Sequence, residues 1–295
     1  MSLSLLQAVT TAITRATGKE VGACQVSPVG GGCINEAYVL VALTPFFVKV
    51  NAAARAGLFE AEVEALRALA ATGTVRVPEV ITTGRHADRS FLVLEHVPMQ
   101  AATTEARSWE AFGRQLAALH HALSPDGTFG WHAANFIGAT PQPNAPTASW
   151  VTFWRDQRLG FQFKLAAERG VHFEGADRLL RVIPRFFADY TPAASLLHGD
   201  LWSGNASFTA DGSPIIYDPA CYYGDRECDL SFTELFGRFP TAFYEAYDAT
   251  WPRHTSWPLR RDLYNLYHVL NHHHLFGASY REQAQRMIHR LNRPI

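Results

Sequence analysis

The chain has 295 residues, 47% of them hydrophobic and 12% aromatic, which suits a well-packed core in one large domain or two lobes. Lys and Arg number 26 against 27 Asp and Glu, a net charge of −1, so bulk charge gives no argument for nucleic acid or an anionic membrane as partner. No apolar run reaches the length of a membrane span. The four cysteines, Cys24, Cys33, Cys221 and Cys228, include no CxxC pair of the kind that holds structural zinc. These features point to a cytoplasmic protein in a reducing compartment.

The opening MSLSLLQAVTTAITRATG has no basic leader region and reads as a helix with Leu6, Val9 and Ile13 on one face. AYVLVAL and PFFVKV are β-rich neighbours and predict adjacent strands. Ala53 to Ala71 reads as a helix, with Phe59, Val63, Leu66 and Ala70 at helical spacing and Gly73 closing it. VRVPEVITTG and SFLVLEHV predict two more strands, with GRHADR as the turn between them. After Pro98 the pattern turns helical. Arg107 to Leu123 carries Trp109, Phe112, Leu116, Leu119 and Leu123 on one face, and Ser149 to Arg169 and Arg260 to His274 are further helices. The loop from Gly127 to Ala148 is long and rich in Pro, Gly and Asn, and long ordered loops often carry function. The expected class is α+β: a small β-rich lobe over residues 1–97 and a larger, mainly helical lobe over 98–295.

HGDLWSGN, His198 to Asn205, has the H-x-D-x-x-x-x-N spacing of a kinase catalytic loop. In that scheme Asp200 faces the attacking hydroxyl and Asn205 reaches a magnesium ion. A second carboxylate is required after a following strand, and Asp218 in PIIYDPA stands there. Ala206 to Gly212 can form the hairpin between them, turning at Asp211-Gly212. Magnesium takes oxygen ligands and bridges nucleotide phosphates. The loose transition state of phosphoryl transfer asks for positioning and charge neutralisation.

The same scheme requires a strand lysine paired with a helix glutamate. Lys49 in FFVKV has apolar neighbours, and a lysine there needs a partner. Glu60, Glu62 and Glu64 are the candidates. Glu62 is chosen because Leu66 and Leu69 follow it at i+4 and i+7 on the inward face. Upstream, Gly30, Gly31, Gly32 and Cys33 form a glycine-rich turn whose amides could cover the phosphates of ATP, although it is not a GxxxxGK[ST] loop. Cys33 is either a passive small residue in that turn or a thiol whose oxidation would disturb nucleotide binding. The segment between Asp218 and DLSFTELFG is too short for a protein-kinase activation segment, no A-P-E motif follows, and DPA replaces DFG. A small-molecule kinase fits better than a protein kinase.

LLHGDLWSGN and IIYDPACYYGDRECDLSFTELFG resemble the fructosamine kinase (ketosamine-3-kinase) family. So do GGGCINEAY, FFVKVN, FEAEVEAL, FGRQLAALH, NFIGATPQPN, WVTFWRDQRL and NHHHLFG. General kinase motifs account for neither NFIGATPQPN nor NHHHLFG. The resemblance implies the aminoglycoside-phosphotransferase-like branch of the bilobal protein-kinase-like fold. It implies ATP-dependent phosphorylation of the C3 hydroxyl of ketosamines, the sugar adducts of amines or of protein lysines, leading to deglycation. It further implies Asp200 as the catalytic base, Asn205 and Asp218 as magnesium ligands, and Lys49 as the α/β-phosphate lysine paired with Glu62. Glu95 to Val97 would be the hinge whose backbone binds adenine. The resemblance favours redox sensitivity at Cys33.

Trp202, two residues past the base, either packs against the ketosamine or is a core tryptophan. His272 in NHHHLFG is a candidate for hydrogen bonds to sugar hydroxyls. His268, His272 and His273 invite a metal reading too, but no carboxylate or cysteine stands at a matching spacing. One alternative is a kinase for an aminoglycoside, choline or another amino sugar. Another is a nucleotide-binding module without catalysis, which the intact set of Lys49, Asp200, Asn205 and Asp218 argues against. Monomer and dimer are both compatible with the sequence.

Overall fold

A helix opens the chain. α1 (Leu3–Thr17) is capped by the Ser2 hydroxyl, which accepts from the Leu5 amide. Its buried stripe is Leu5, Val9 and Ile13, so Leu5 and not Leu6 is the inward residue of the first turn. Leu6 lies at the margin of the same cluster. The computed structural model describes residues 1–30, 34–100, 105–277 and 279–293.

Next come β1 (Gln25–Val29), β2 (Glu36–Val41), β3 (Phe46–Ala52), α2 (Ala56–Ala71), β4 (Val80–His86), β5 (Arg89–Glu95) and β6 (Met99–Gln100). The first five of these strands form an antiparallel sheet in the order β1-β2-β3-β5-β4. One face packs on α1: Leu5, Val9 and Ile13 meet Leu40, Phe46, Val48, Val50, Phe91 and Val93. Alternation along β3 therefore sends Lys49 to the opposite face, toward α2. The β4–β5 hairpin turns through Ala87 and Asp88 alone, with His86 opposite Arg89. GRHADR was expected to be the whole turn. Arg85, His86 and Arg89 instead lie in the strands, and Ala87 adopts the φ of +51° that a two-residue turn needs. β4 also begins later than expected, beyond Pro78, which has no amide to give a sheet.

The following elements are α3 (Ala106–His120), β7 (Asn135–Ile137), β8 (Thr140–Gln142), α4 (Trp150–Phe153), α5 (Phe161–Glu168), α6 (Ala176–Val182) and β9 (Ser195–Leu197). A π-helical stretch, Trp154–Gly160, joins α4 to α5, so the helix expected from Ser149 to Arg169 is one run with a widened middle. α3 stops at His120 and Leu123 is exposed, correcting the expectation that Leu123 belongs to its apolar face. Pro125 steers Ser124 away from helix, and Leu123 bridges Ser195 of β9 instead.

β10 (Ala206–Thr209) and β11 (Pro214–Ile216) form the hairpin expected between Asn205 and Asp218. They pair in the order β11-β10-β6, and the Ile216 amide donates to Arg76 O. The hairpin thus folds with the N-terminal residues. One unit comprises Met1–Thr103 with Ser207–Tyr217, the other Thr104–Ala206 with Asp218–Ile295. The division expected after residue 97 follows the change to helical composition. It places β6 and the returning hairpin on the wrong side, because strand pairing overrides chain order.

β12 (Tyr222–Gly224), α7 (Glu227–Leu235), α8 (Thr241–Thr250), α9 (Trp257–Phe276) and α10 (Ser279–Leu291) complete the chain. β12 pairs antiparallel with β9, whose three side chains are all buried. α3 and α8 approach so closely that a Cβ on Gly113 would stand 2.2 Å from the Phe243 carbonyl oxygen. Trp109, Phe112, Phe239 and Phe243 fill that contact. The main core of the unit gathers Trp150, Phe153, Trp154, Tyr222, Tyr264 and Tyr267. No helix among the described residues is long and apolar enough to cross a membrane.

Candidate active site

In the first unit, β3 and α2 bring Lys49 to Glu62, with Nζ 2.5 Å from Oε1 and both side chains largely buried. Glu60 turns outward to Arg85 instead, at 3.1 Å. Glu62 is therefore the glutamate at the lysine. Glu95 closes β5. Its amide donates to Glu79 O at 2.8 Å and its carboxylate pairs with Arg76 at 2.5 Å, while Val97 is buried. Gly30 follows β1 and is exposed. Gly31, Gly32 and Cys33 lie outside the described residues, as does any structural account of the phosphate turn they were expected to form.

In the second unit, β9 delivers the loop that begins at His198. Gly199 has φ +81°, and a Cβ there would stand 2.1 Å from Ala220 O, so the close approach of the two segments demands glycine. The loop is pinned from beneath by Asp229 on α7. Its Oδ2 accepts from the His198 amide at 2.8 Å and its Oδ1 from the Gly199 amide at 2.9 Å. Asp229 Oδ2 also meets His120 Nε2 at 3.2 Å, and His120 Nδ1 lies 2.8 Å from Tyr247 Oη. Burial by itself would raise the Asp229 carboxyl, but His120, His198 and the Gly199 amide hold it below the ordinary carboxylate value. Burial lowers the His120 pKa, against the pull of Asp229. A neutral His120 therefore donates from Nε2 to Asp229 and accepts at Nδ1 from Tyr247, which in turn accepts from Arg226 at 3.1 Å.

Asp200 behaves in the opposite way. Although solvent still reaches part of the residue, its carboxyl is desolvated, and burial with the nearby Asp218 charge raises its pKa to about 7. Asn205 works against that rise. Its Nδ2 donates to Asp200 Oδ2 at 3.0 Å and to Asp200 O at 2.9 Å. Both amide hydrogens are thereby engaged, and Oδ1 is the Asn205 atom not committed to Asp200. Asp218 follows β11 with φ +57°, a left-handed backbone unusual for a residue other than glycine. Asp200, Asn205 and Asp218 thus share one unit, with two carboxylates near enough to repel.

The Trp202 ring packs edge-on to Phe236, with centroids 6.0 Å apart, and the residue is half-buried. A row of rings continues from Phe236 to His272 at 4.6 Å and from His272 to Tyr280 at 5.1 Å. His272 donates from Nδ1 to His268 O at 2.8 Å, and burial lowers its pKa. The neutral ring then presents Nε2 as an acceptor. His268 lies flat on Phe232 at 3.6 Å, and His273 Nδ1 lies 3.2 Å from Gly277 O, so the three histidines serve separate partners.

In the sequence Asp229 stands out only as the first residue of DLSFTELFG. An acid in the first turn, in GDRECDL, is an ordinary helix-dipole feature, and its grip on loop amides shows only in three dimensions.

Residues 5–293 match the family model described as fructosamine kinase. The chain belongs to the fructosamine kinase family. A probable ketoamine kinase of Synechocystis is 44% identical, over 96% of this chain and 95% of the relative. A chloroplastic protein-ribulosamine 3-kinase of Oryza sativa subsp. indica is 38% identical, over 92% of this chain and 80% of the relative. The crystal structure of a protein provisionally named a fructosamine-3-kinase, from Haemophilus somnus, matches with a TM-score of 0.91 at 29% identity, covering 98% of this chain and 99% of that one. The expected α+β class, β-rich then helical, is thus the fold of the fructosamine kinase family, and membership implies ATP as the phosphoryl donor.

Proposed function

We propose that the protein is an ATP-dependent ketosamine 3-kinase acting on ribulosamine or fructosamine adducts of amines or lysines. The observation that carries this reading is Asp200, a carboxyl raised to about 7 and oriented by the Asn205 amide, in a chain that its family covers almost end to end. A base with a pKa near neutrality serves proton transfer best. Asp200 would accept the proton of the C3 hydroxyl as its oxygen bonds to the γ-phosphorus and ADP departs.

Magnesium fits the residues present. Hard oxygen donors suit it, and the repulsion between Asp200 and Asp218 invites a cation. Asn205 Oδ1 and the Asp218 carboxylate would hold it, and it would supply neutralisation of the nucleotide's negative charge. Lys49, fixed by Glu62, would orient the α- and β-phosphates, and the Glu95–Val97 backbone would receive adenine. Trp202 and the His272 Nε2 acceptor would face the sugar, the ring supplying apolar contact and the imidazole taking a hydroxyl hydrogen bond. The product's enaminol form expels phosphate from C3, and imine hydrolysis frees the amine, which makes deglycation the biological outcome. A cytoplasmic setting belongs to the same proposal.

The deciding experiment offers ribulosyl-lysine, fructosyl-lysine and an aminoglycoside side by side, follows ATP consumption, and locates the phosphate by NMR. Phosphate on C3 of a ketosamine is the expected result. Consumption with the aminoglycoside alone overturns the reading in favour of a related amino-sugar kinase. No consumption with any acceptor leaves a nucleotide-binding module. Cys33 enters the proposal as an oxidisable thiol: peroxide should slow the wild type and spare Cys33→Ser.

A further inference from the structure

NFIGATPQPN carries no kinase motif, yet its polar side chains are among the most deeply buried in the second unit. Asn135, Gln142 and Asn144 are at most 6% exposed. Their hydrogen bonds form one closed set. Gln142 Nε2 donates to Asn135 Oδ1 at 2.8 Å and to Ala220 O at 3.1 Å. Asn135 Nδ2 donates to Cys221 O at 2.7 Å. Asn144 Nδ2 donates to Asn135 Oδ1 at 2.8 Å. The orientations of Gln142 and Asn144 are fixed from outside: the Tyr267 hydroxyl donates to Gln142 Oε1 at 2.7 Å, and Arg158 Nη2 donates to Asn144 Oδ1, also at 2.7 Å. Arg158 stands on the π-helical stretch with its guanidinium over the Tyr222 ring at 4.0 Å.

Asn144 Nδ2 also donates to Ala133 O at 3.2 Å, and the other two backbone carbonyls the three amides grip, Ala220 O and Cys221 O, lie just beyond Asp218-Pro219. Asp218 has φ +57° although it precedes a proline, a position that sterics steer to extended backbone. Such a conformation is strained and persists only where its surroundings over-determine it. Pro219 has no amide hydrogen to contribute. The hold on this side of Asp218 comes from the next residues: the Ala220 amide donates to His198 O at 2.8 Å, and the carbonyls of 220 and 221 receive Gln142 and Asn135.

We infer that the β7–β8 hairpin, with Arg158 and Tyr267, is a positioning device for Asp218: Gln142 and Asn135 fix the peptides after it so that its carboxylate is held ready for the metal–nucleotide complex. These are positioning residues and touch no reacting atom. The inference rests on the magnesium role given to Asp218 under the proposed function. It explains the spacing of the block, since residues one, eight and ten of NFIGATPQPN are the three amides. It also explains why WVTFWRDQRL accompanies that block, since the arginine near its end is Arg158.

The test measures Mn2+ binding by electron paramagnetic resonance in the full-length protein with a non-hydrolysable ATP analogue, beside thermal stability. Gln142→Met keeps length and removes both donors, and it should weaken Mn2+ by about tenfold, the usual size of an outer-shell loss. Tyr267→Phe removes one hydroxyl and should weaken it by about threefold, in the same direction. Thr233→Val deletes a buried hydroxyl bonded to Tyr244 and Leu230 O, away from this network, and should lower stability without moving Mn2+ affinity. Asp218→Asn gives the full loss for reference. Mn2+ affinities of Gln142→Met and Tyr267→Phe within twofold of wild type, with Asp218→Asn impaired, overturn the positioning role alone. Unchanged binding in Asp218→Asn overturns the metal assignment and this inference together. Should Gln142→Met fail to fold, Tyr267→Phe decides the matter.

Discussion

Asp200 and Asp229 are two desolvated aspartates at the same loop, and they are pushed in opposite directions. Asp229 accepts two backbone amides and the His120 ring, and it is held below the ordinary carboxylate value. Among the described residues Asp200 receives only the Asn205 amide at its carboxylate, and burial with the Asp218 charge raises it to about 7. Burial raises both carboxyls, and the supply of donors decides which one is pulled back below the ordinary value. The fold saturates the carboxylate that holds the loop and leaves undersupplied the one that would do chemistry.

That contrast can be broken by removing each acid. Asp200→Ala should lose about 10²–10⁴ in kcat with the fold intact, because proton transfer is lost while Asn205 Nδ2 keeps its bond to the residue-200 carbonyl. Near-normal turnover of the purified variant would erase the catalytic half of the comparison. Asp229→Ala should cost about 3–5 kcal/mol in denaturant unfolding, since it strands the His198 and Gly199 amides and the His120 N–H in a buried place. A loss below about 1 kcal/mol would show that these amides find water instead.

Two smaller effects concern the buried histidines and the Asp229 network. His120 and His268 are buried, and burial lowers both pKa values beneath the 6.5 of the unfolded chain. The unfolded state then binds more protons than the native state once pH drops below that value. Their contribution is complete above pH 6.5 and is lost as pH falls further, by up to about 1.4 kcal/mol per pH unit for each histidine. Urea midpoints between pH 7.5 and 5, compared between the wild type and His268→Gln so that the opposite pull of the raised Asp200 and Glu227 carboxyls cancels, check this, and identical profiles would contradict a neutral buried His268. Last, Tyr247→Phe deletes only the hydroxyl between Arg226 and His120 and should cost about 1 kcal/mol. Thermal unfolding reads that change.

Short-range features were the legible ones. Apolar flanks at Lys49 and the i+4 and i+7 leucines after Glu62 encode a buried pair within one supersecondary unit, so local pattern leads to Glu62. The catalytic-loop spacing works the same way, since Asp200 and Asn205 lie within one turn and bond directly. What escaped depends on segments distant in sequence. Polarity marked GRHADR as loop because exposed hairpin strands and turns share composition. Leu123 fitted a helical stripe until a proline and a strand partner drew it away. Asn135, Gln142 and Asn144 looked like loop polarity, because their partners at 220 and 221 lie far along the chain.

The hairpin of Ser207–Tyr217 has a consequence for the gene. The chain passes from one unit to the other after residues 103, 206 and 217, so neither unit is a single continuous coding segment. A fragment ending at Thr103 would strand Met99–Gln100 without the β10 partner that holds it. Recombination that swapped the first unit between relatives would need three breakpoints. Two of them fall between Asn205 and Asp218, so the residues expected to share a cation are inherited on opposite sides of a piece of the other unit.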